Sequence, residues 1–223
     1  MATLGDMVDR IVDELNRPDL EAAVRSAIAS AIQHYRGRRW WFNTSSVDGD
    51  PTVAGDDYVD YPAGLIALDQ PRGGACGSLF VDTGSGVFDP LVKETAAVLE
   101  SWGPAGNGTP YAYAEIGGQV RLYPPPAGAY ALRWLGIVDL AELVDDTDAN
   151  AWTTEAEAII RQRAKAYVKI EYMNHAQAAA EQMQLALRPN CDGCLSTMEL
   201  QALRALKLEN TKRLARGSLR RSG

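Results

Sequence analysis

The chain has 223 residues, 22 Lys/Arg against 29 Asp/Glu, and a formal charge of −7. That length suits one domain, or one with a sizeable insertion, and it buries about 70% of the unfolded surface without staples. The acidic balance argues against a dedicated nucleic-acid binder, and 46% hydrophobic with 23% charged residues is ordinary for a globular fold. The charge is uneven. From Arg204 to Gly223, seven Lys/Arg face one Glu, a net of +6, which leaves −13 on the remainder. A basic end on an acidic body is informative about partners.

In chain order, Thr3 can cap a short helix over Leu4–Leu15, with Leu4, Met7, Val8, Ile11 and Leu15 on one face. Pro18 breaks it. A second helix is expected from about Asp19 to Arg36, carrying Leu20, Val24, Ile28, Ala31, Ile32 and Tyr35 at helical spacing. Two such helices joined by a few residues make an antiparallel hairpin whose apolar faces need a third partner. Gly37 ends the second helix. Arg38-Arg39-Trp40-Trp41-Phe42 then reads as the start of a strand whose aromatics seed a core, although arginine beside aromatics could also stack on bases.

From there to about Val138, Gly and Pro punctuate short β-prone runs: Asp57 to Tyr61, Leu79 to Asp82, Tyr111 to Glu115, Gln119 to Tyr123 and Tyr130 to Val138. Gly117-Gly118 reads as a two-residue hairpin turn, because glycine supplies the positive φ such turns need. Pro124-Pro125-Pro126 ends its strand. Pro90 to Trp102 is the exception, a short helix bearing Leu91, Ala96, Val98, Leu99 and Trp102.

The longest helical pattern runs from Thr154 to Leu187, with a capping box of Thr154 and Glu157. Ala156, Ile159, Ile160, Tyr167, Ile170, Ala178 and Leu185 share one stripe, interrupted by Arg163, Asn174 and Glu181. Polar groups inside a stripe need partners. They are either satisfied by neighbouring helices or set register in a subunit interface, so Arg163, Asn174 and Glu181 are the subunit-interface candidates. After Pro189 a loop leads to a last helix from about Ser196 to Leu214, and Gly217 to Gly223 reads as an extended tail.

Chemistry is sparse. No Walker A loop, GxGxxG, HExxH or GxSxG occurs. Cys76, Cys191 and Cys194 cannot form a complete disulfide set, and the lone Cys191–Cys194 CxxC lacks further zinc ligands, since the histidines are only His34 and His175. Those histidines read as surface or packing residues, and Gly84-Ser85-Gly86 reads as a turn. Asp146, Asp148, Asn150 and Glu157 match positions 1, 3, 5 and 12 of a calcium loop, but Ala151 replaces the required glycine, and an acidic loop favouring the next helix is the plainer reading. No catalytic residue, metal or cofactor is expected. No apolar run approaches 18 residues and no secretory leader is visible, so a cytosolic assembly site is the expectation.

Three segments together resemble the head-to-tail adaptor (connector) proteins of short-tailed bacteriophages. They are the opening helices leading into the Arg- and Trp-bearing stretch; Gly108-Thr109-Pro110-Tyr111 with Gly117 to Pro126 and Tyr130-Ala131-Leu132; and the loop Asp145 to Trp152 with the helix after it. The resemblance implies a virion protein at the head-tail junction. It implies a homo-oligomeric ring, with twelve subunits as the expected number, beneath the portal protein. It also implies a tail nozzle or tail fibre protein as a further partner, with genomic DNA passing through the lumen without sequence-specific binding, and no membrane. The basic residues Arg204, Lys207, Lys212, Arg213, Arg216, Arg220 and Arg221 are the portal-docking candidates.

The expected class is α+β: a helical bundle, made of an N-terminal helical hairpin and long C-terminal helices, with an inserted β-rich antiparallel region. The expected division is 1–36 for the hairpin, 37–140 for the insertion with one short helix, 141–216 for the C-terminal helices and 217–223 for the tail. Two rival functions stand beside the adaptor. One is a tail-associated hydrolase using loop carboxylates such as Asp56 and Asp57. The other is a module that binds a ligand or protein through the β-rich insertion.

Overall fold

A computed structural model of the protein describes residues 2–69 and 76–173. They fall into two units, one drawn from the chain up to Phe42 and from Leu140 on, the other from Asn43–Asp139.

In the first unit, α1 (Leu4–Leu15) begins at a reciprocal cap. The Asp6 amide donates to Thr3 Oγ1 at 3.2 Å and the Thr3 amide donates to Asp6 Oδ2 at 2.9 Å. The next orphan donors of the helix start are taken by a loop, Leu4 N–H by the Asp148 carbonyl at 2.8 Å and Gly5 N–H by the Asp146 carbonyl at 3.0 Å. Asn16 closes the helix in the left-handed conformation at φ 52°. A 3₁₀ turn over Pro18–Leu20 occupies the expected start of the second helix, so α2 runs Glu21–Arg36. Leu4, Met7, Val8, Ile11 and Leu15 of α1 pack with Val24, Ile28, Ala31 and Tyr35 of α2, and with Ile159, Ile160 and Val168 from the C-terminal side. Each fully buried Leu or Ile there contributes about 1.5–3 kcal/mol.

The Arg38–Phe42 stretch is not a strand. It is irregular chain, and the first strand starts at Thr44. Its aromatics do enter a core, the helical one. Trp40 Nε1 donates to the Tyr35 carbonyl at 3.2 Å, the Trp40 and Phe42 rings stack at 6.1 Å, and Phe42 meets the edge of Trp152 at 5.1 Å.

The single long helix expected from Thr154 is broken at its start. Asn150 caps a one-turn helix, α4 (Ala151–Thr154), by accepting from Trp152 N–H at 2.7 Å, in a capping box with Thr153. Glu155 and Ala156 then turn the chain, and α5 runs Glu157–Glu171. Thr154 caps nothing; its hydroxyl donates back to the Asn150 carbonyl at 3.1 Å. Ile170, expected on the apolar stripe, is exposed. The later part of that pattern, the last helix and the tail lie outside the described residues.

The second unit holds one mixed sheet of eight described strands: β1 (Thr44–Gly49), β2 (Tyr58–Asp60), β3 (Leu65–Leu68), β4 (Cys76–Asp82), β5 (Asp89–Lys93), β6 (Ala112–Ile116), β7 (Gln119–Tyr123) and β8 (Ala131–Val138). The order is β1-β8-β4-β5-β6-β7-β2, and β3 pairs β8 alongside β4. Every pairing is antiparallel except β5 with β6, where Val92 and Lys93 lie in register with Ala112 and Tyr113. Gly117 (φ 60°) and Gly118 (φ 89°) make the β6–β7 hairpin turn with both residues at positive φ. The expected helix from Pro90 begins only at Thr95, whose side chain caps α3 (Ala96–Ser101). Pro90 to Lys93 belong to β5, since β5 draws its pairing from β4 and β6.

These observations correct the expected class. Among the described residues the protein is a mixed α+β fold with five short helices and a large sheet, not a helical bundle with long C-terminal helices, and its β region is not purely antiparallel. Periodicity alone reads a buried β strand and a helical turn alike, and β1, β3 and β5 carry no regular alternation that would have announced them.

Candidate interaction surfaces

The sequence's titratable candidates are spoken for inside the fold. In the acidic loop, Asp146 Oδ1 pairs with Arg25 at 2.6 Å. Asp148 Oδ2 accepts the amides of Val144 and Asp145 at 2.7 and 2.8 Å, and those bonds hold its carboxyl below the usual carboxylate range. Asn150 Oδ1 caps α4 while its Nδ2 donates to the Ala141 carbonyl at 2.7 Å. Glu157 pairs with Arg10 at 2.7 Å. All four would-be calcium ligands therefore point at protein donors, and no metal-ligating cluster occurs among the described residues. The loop's work is mechanical: it satisfies the start of α1 and ties it to α2.

Asp56 and Asp57, the rival acid-base pair, are separately engaged. Asp56 Oδ1 accepts from the Tyr58 amide at 3.1 Å, and Asp57 Oδ2 accepts from Arg121 Nε at 2.8 Å. Asp57 foremost, and Glu100 beyond it, raise the Arg121 guanidinium further above its ordinary value, against a smaller opposing effect of burial. The two carboxylates are thus turned to different partners and do not converge as an acid-base pair would. In the β4–β5 turn, Asp82 gathers the amides of Gly84, Ser85 and Gly86 at 2.8–3.1 Å, so Gly84-Ser85-Gly86 is a turn and not a nucleophile elbow.

Of the subunit-interface candidates, Arg163 is 6% exposed. Its Nε donates to Tyr167 Oη at 2.9 Å, and its guanidinium lies 5.5 Å from the Tyr35 ring and 5.2 Å from the Tyr167 ring. Burial disfavours its charge, yet the hydrogen bonds with Tyr167 and Tyr35 outweigh that and raise it above its ordinary value. Asn174 and Glu181, and all seven portal-docking candidates, lie outside the described residues, as do His175, Cys191 and Cys194. His34 sits edge-on to Tyr35 at 4.8 Å, with Arg38 3.3 Å from its Nε2, a packing histidine at a helix end.

Two surface features of the second unit went unread in the sequence. The first is its charge. Asn43–Asp139 contains twelve Asp/Glu and four Lys/Arg. The three described cations are each held by carboxylates: Lys93 by Glu115 at 2.9 Å, Arg121 by Asp57 and Glu100, and Arg133 by Asp48 at 2.8 Å. The second is an aromatic cluster. Trp102 at the end of α3 is 41% exposed and Tyr111 is 55% exposed. With Tyr123 their centroids lie 5.0–6.1 Å apart. Sequence spacing put Trp102 on the apolar side of a longer helix. Once α3 is cut to six residues, that side ends at Leu99 and Trp102 falls on the surface.

The chain matches the SU10 adaptor protein family over residues 2–217, nearly its whole length, and it belongs to that family. No curated protein sequence matches it. The match bears out the resemblance to phage head-to-tail adaptors and makes the protein a phage structural adaptor, a component of the virion. The family is a structural one, which implies association with portal and tail components and no catalytic role. No described helix is long and apolar enough to cross a membrane.

Proposed function

We propose that this protein forms a homo-oligomeric ring, of twelve copies, that joins the portal to the tail and lines part of the DNA conduit. The observation that carries the reading is the adaptor family match from residue 2 to 217. In this reading the part made of 1–36 with 141–216 builds the ring wall, the insertion (37–140) faces the tail nozzle or fibre protein, and 217–223 continues toward the portal.

Charge supports the division of labour. The cationic end, with Arg204, Lys207, Lys212, Arg213, Arg216, Arg220 and Arg221, suits an acidic surface on the portal. The net-negative remainder suits a conduit, because a duplex slides past a surface that does not neutralise its phosphates. A ring interface is heterologous, so each copy presents two different surfaces. Asn174 and Glu181 are kept as contributors to one of them, as is Arg163 through the tyrosines it holds in place.

The test is electron microscopy and native mass of the full chain mixed with purified portal. A twelve-copy ring seated under the portal is the expected result. A chain that stays monomeric and unattached in the presence of portal refutes the proposal. Deleting 217–223, or reversing the charge of Arg220 and Arg221, weakens attachment; unchanged attachment in both refutes the docking role of that end.

A further inference from the structure

We infer that the exposed rings of Trp102 and Tyr111, backed by the half-buried Tyr123, are the seat for an arginine- or lysine-bearing segment of a protein partner on the tail side. Three observations carry this. First, the trio is an open aromatic platform: two of its rings are more than 40% exposed and each ring touches the other two. Trp and Tyr in such clusters are what protein interfaces use as anchors. Second, the surroundings are anionic. Glu100 lies two residues before Trp102 with its side chain 68% exposed, and it shares the one cation Arg121 with Asp57, so the two carboxylates keep a net negative charge. Third, the described cations of this unit are already neutralised in place, so nothing among its described residues invites a phosphate or an acidic chain.

The fold already contains the arrangement the partner would copy. Arg121 lies between the Asp57 and Glu100 carboxylates with its guanidinium 5.9 Å from the Tyr58 ring centre. A second guanidinium or ammonium over the Trp102 face would be held by the same combination of ring quadrupole and nearby carboxylate. Nucleic-acid bases also stack on aromatics, but here the phosphates would meet a segment with twelve acids against four bases. The inference rests on the adaptor reading in one respect only, that this unit meets a protein of the tail.

Trp102 also supplies the probe, being the most exposed of the five tryptophans. The experiment titrates an octa-arginine peptide into the full chain at about 0.15 M salt and follows tryptophan emission and heat. The wild type binds with quenching. Trp102→Ala and, independently, Tyr111→Ala weaken binding by about tenfold, the loss expected for an anchor residue. Glu100→Gln weakens it about threefold. Far-UV circular dichroism on each variant checks that it is folded, and Tyr111→Ala, at the most exposed ring, keeps the test alive if Trp102→Ala is not. Equal affinity of both aromatic variants overturns the inference, because charge alone then explains the binding. So does preferential binding of octaglutamate, of a single-stranded oligonucleotide or of cellohexaose. Portal-ring assembly is scored on the same variants. A ring without any aromatic-dependent peptide binding refutes this inference and leaves the adaptor proposal standing; peptide binding without a ring refutes the adaptor proposal alone.

Discussion

Gly136 sits in the strand that three others share. β8 pairs β1 along one edge and β4 and β3 along the other, and Gly136 is in register with Ser45 on one side and Leu68 on the other. The bulge between Leu65 and Ala67 brings β3 unusually close. A Cβ added at Gly136 would overlap the Ala67 carbonyl oxygen and come within 2.6 Å of Leu65 Cδ1. The first obstacle is backbone, so it cannot rotate away; β3 has to move. Overpacking of this kind costs about 1–3 kcal/mol, and a backbone obstacle places it near the upper end. Removing a glycine from the unfolded chain returns about 0.4–1 kcal/mol. The net for Gly136→Ala is therefore a loss of about 2 kcal/mol. For a chain of this size that lowers the melting midpoint by about 4–8 °C.

The matched control is Gly106→Ala or Gly128→Ala. Neither glycine has positive φ, and neither has any atom within 4 Å of the added carbon. There only the unfolded-state term remains, so the midpoint stays level or rises by a degree or two. Thermal denaturation of the three variants by circular dichroism makes the comparison. A Gly136→Ala protein that melts with or above the controls refutes the reasoning, because it would mean that β3 does not lie against β8 as described.

Asp57→Asn costs about 1–2 kcal/mol by chemical denaturation, because both it and Arg121 are largely covered, whereas Glu100→Gln is nearly silent at its exposed end of the same arginine; equal costs contradict that ranking. Burial foremost, then Glu115 and Tyr113, pushes the Tyr61 phenol up from 10.0 to about 12. Its folded value lies above its unfolded one, so the associated stability, on the order of 2 kcal/mol, is whole below pH 10 and is lost as pH rises toward 12; Tyr61→Phe flattens that loss in an alkaline denaturation series. Asn150→Ala removes the α4 cap and the bond to Ala141 together and costs about 1–2 kcal/mol, measured by urea unfolding; a cost below about 0.3 kcal/mol returns the capping role to Thr154.

Some of this fold was written in local signals that nothing distant could override. Thr3 with Asp6 next to an apolar 3-4 spacing makes α1 with the expected bounds, and the Gly117-Gly118 pair makes the expected turn. What could not be read depended on partners far along the chain. β1 is a strand because Leu132 to Ile137 lie beside it; its own residues Thr-Ser-Ser-Val-Asp-Gly carry no apolar face. Pro90 to Lys93 look like a helix start until β4 and β6 supply ladders on both sides. The aromatic surface was hidden for the same reason, since Trp102 counts as core on a longer helix and as surface on a short one. Of the three interface candidates only Arg163 lies in described chain, and its polarity inside an apolar stripe is explained by tyrosines four residues ahead and on another helix.

Glu157 shows how one side chain with three eligible roles is allotted. By spacing it could ligate calcium, close a capping box on Thr154, or pair with a cation. Calcium needs several further free oxygens at the same point, and Asp146, Asp148 and Asn150 are each already bonded to protein groups. The Thr154 box needs Thr154 in extended conformation, but Asn150 and Thr153 form a box four residues earlier and hold Thr154 inside a helical turn. Asparagine is at least as good a cap as threonine, and here it also bonds to Ala141, so the earlier cap prevails. The chain then turns at Glu155 and Ala156, and Glu157 enters the first turn of α5, where its charge favours the helix start. From that position it reaches Arg10 on α1, in a row continued by Glu14 with Arg161 and Lys165. The break that shortened the expected helix thus follows from a better cap upstream, and it aligns α5 with α1 along a ladder of ion pairs.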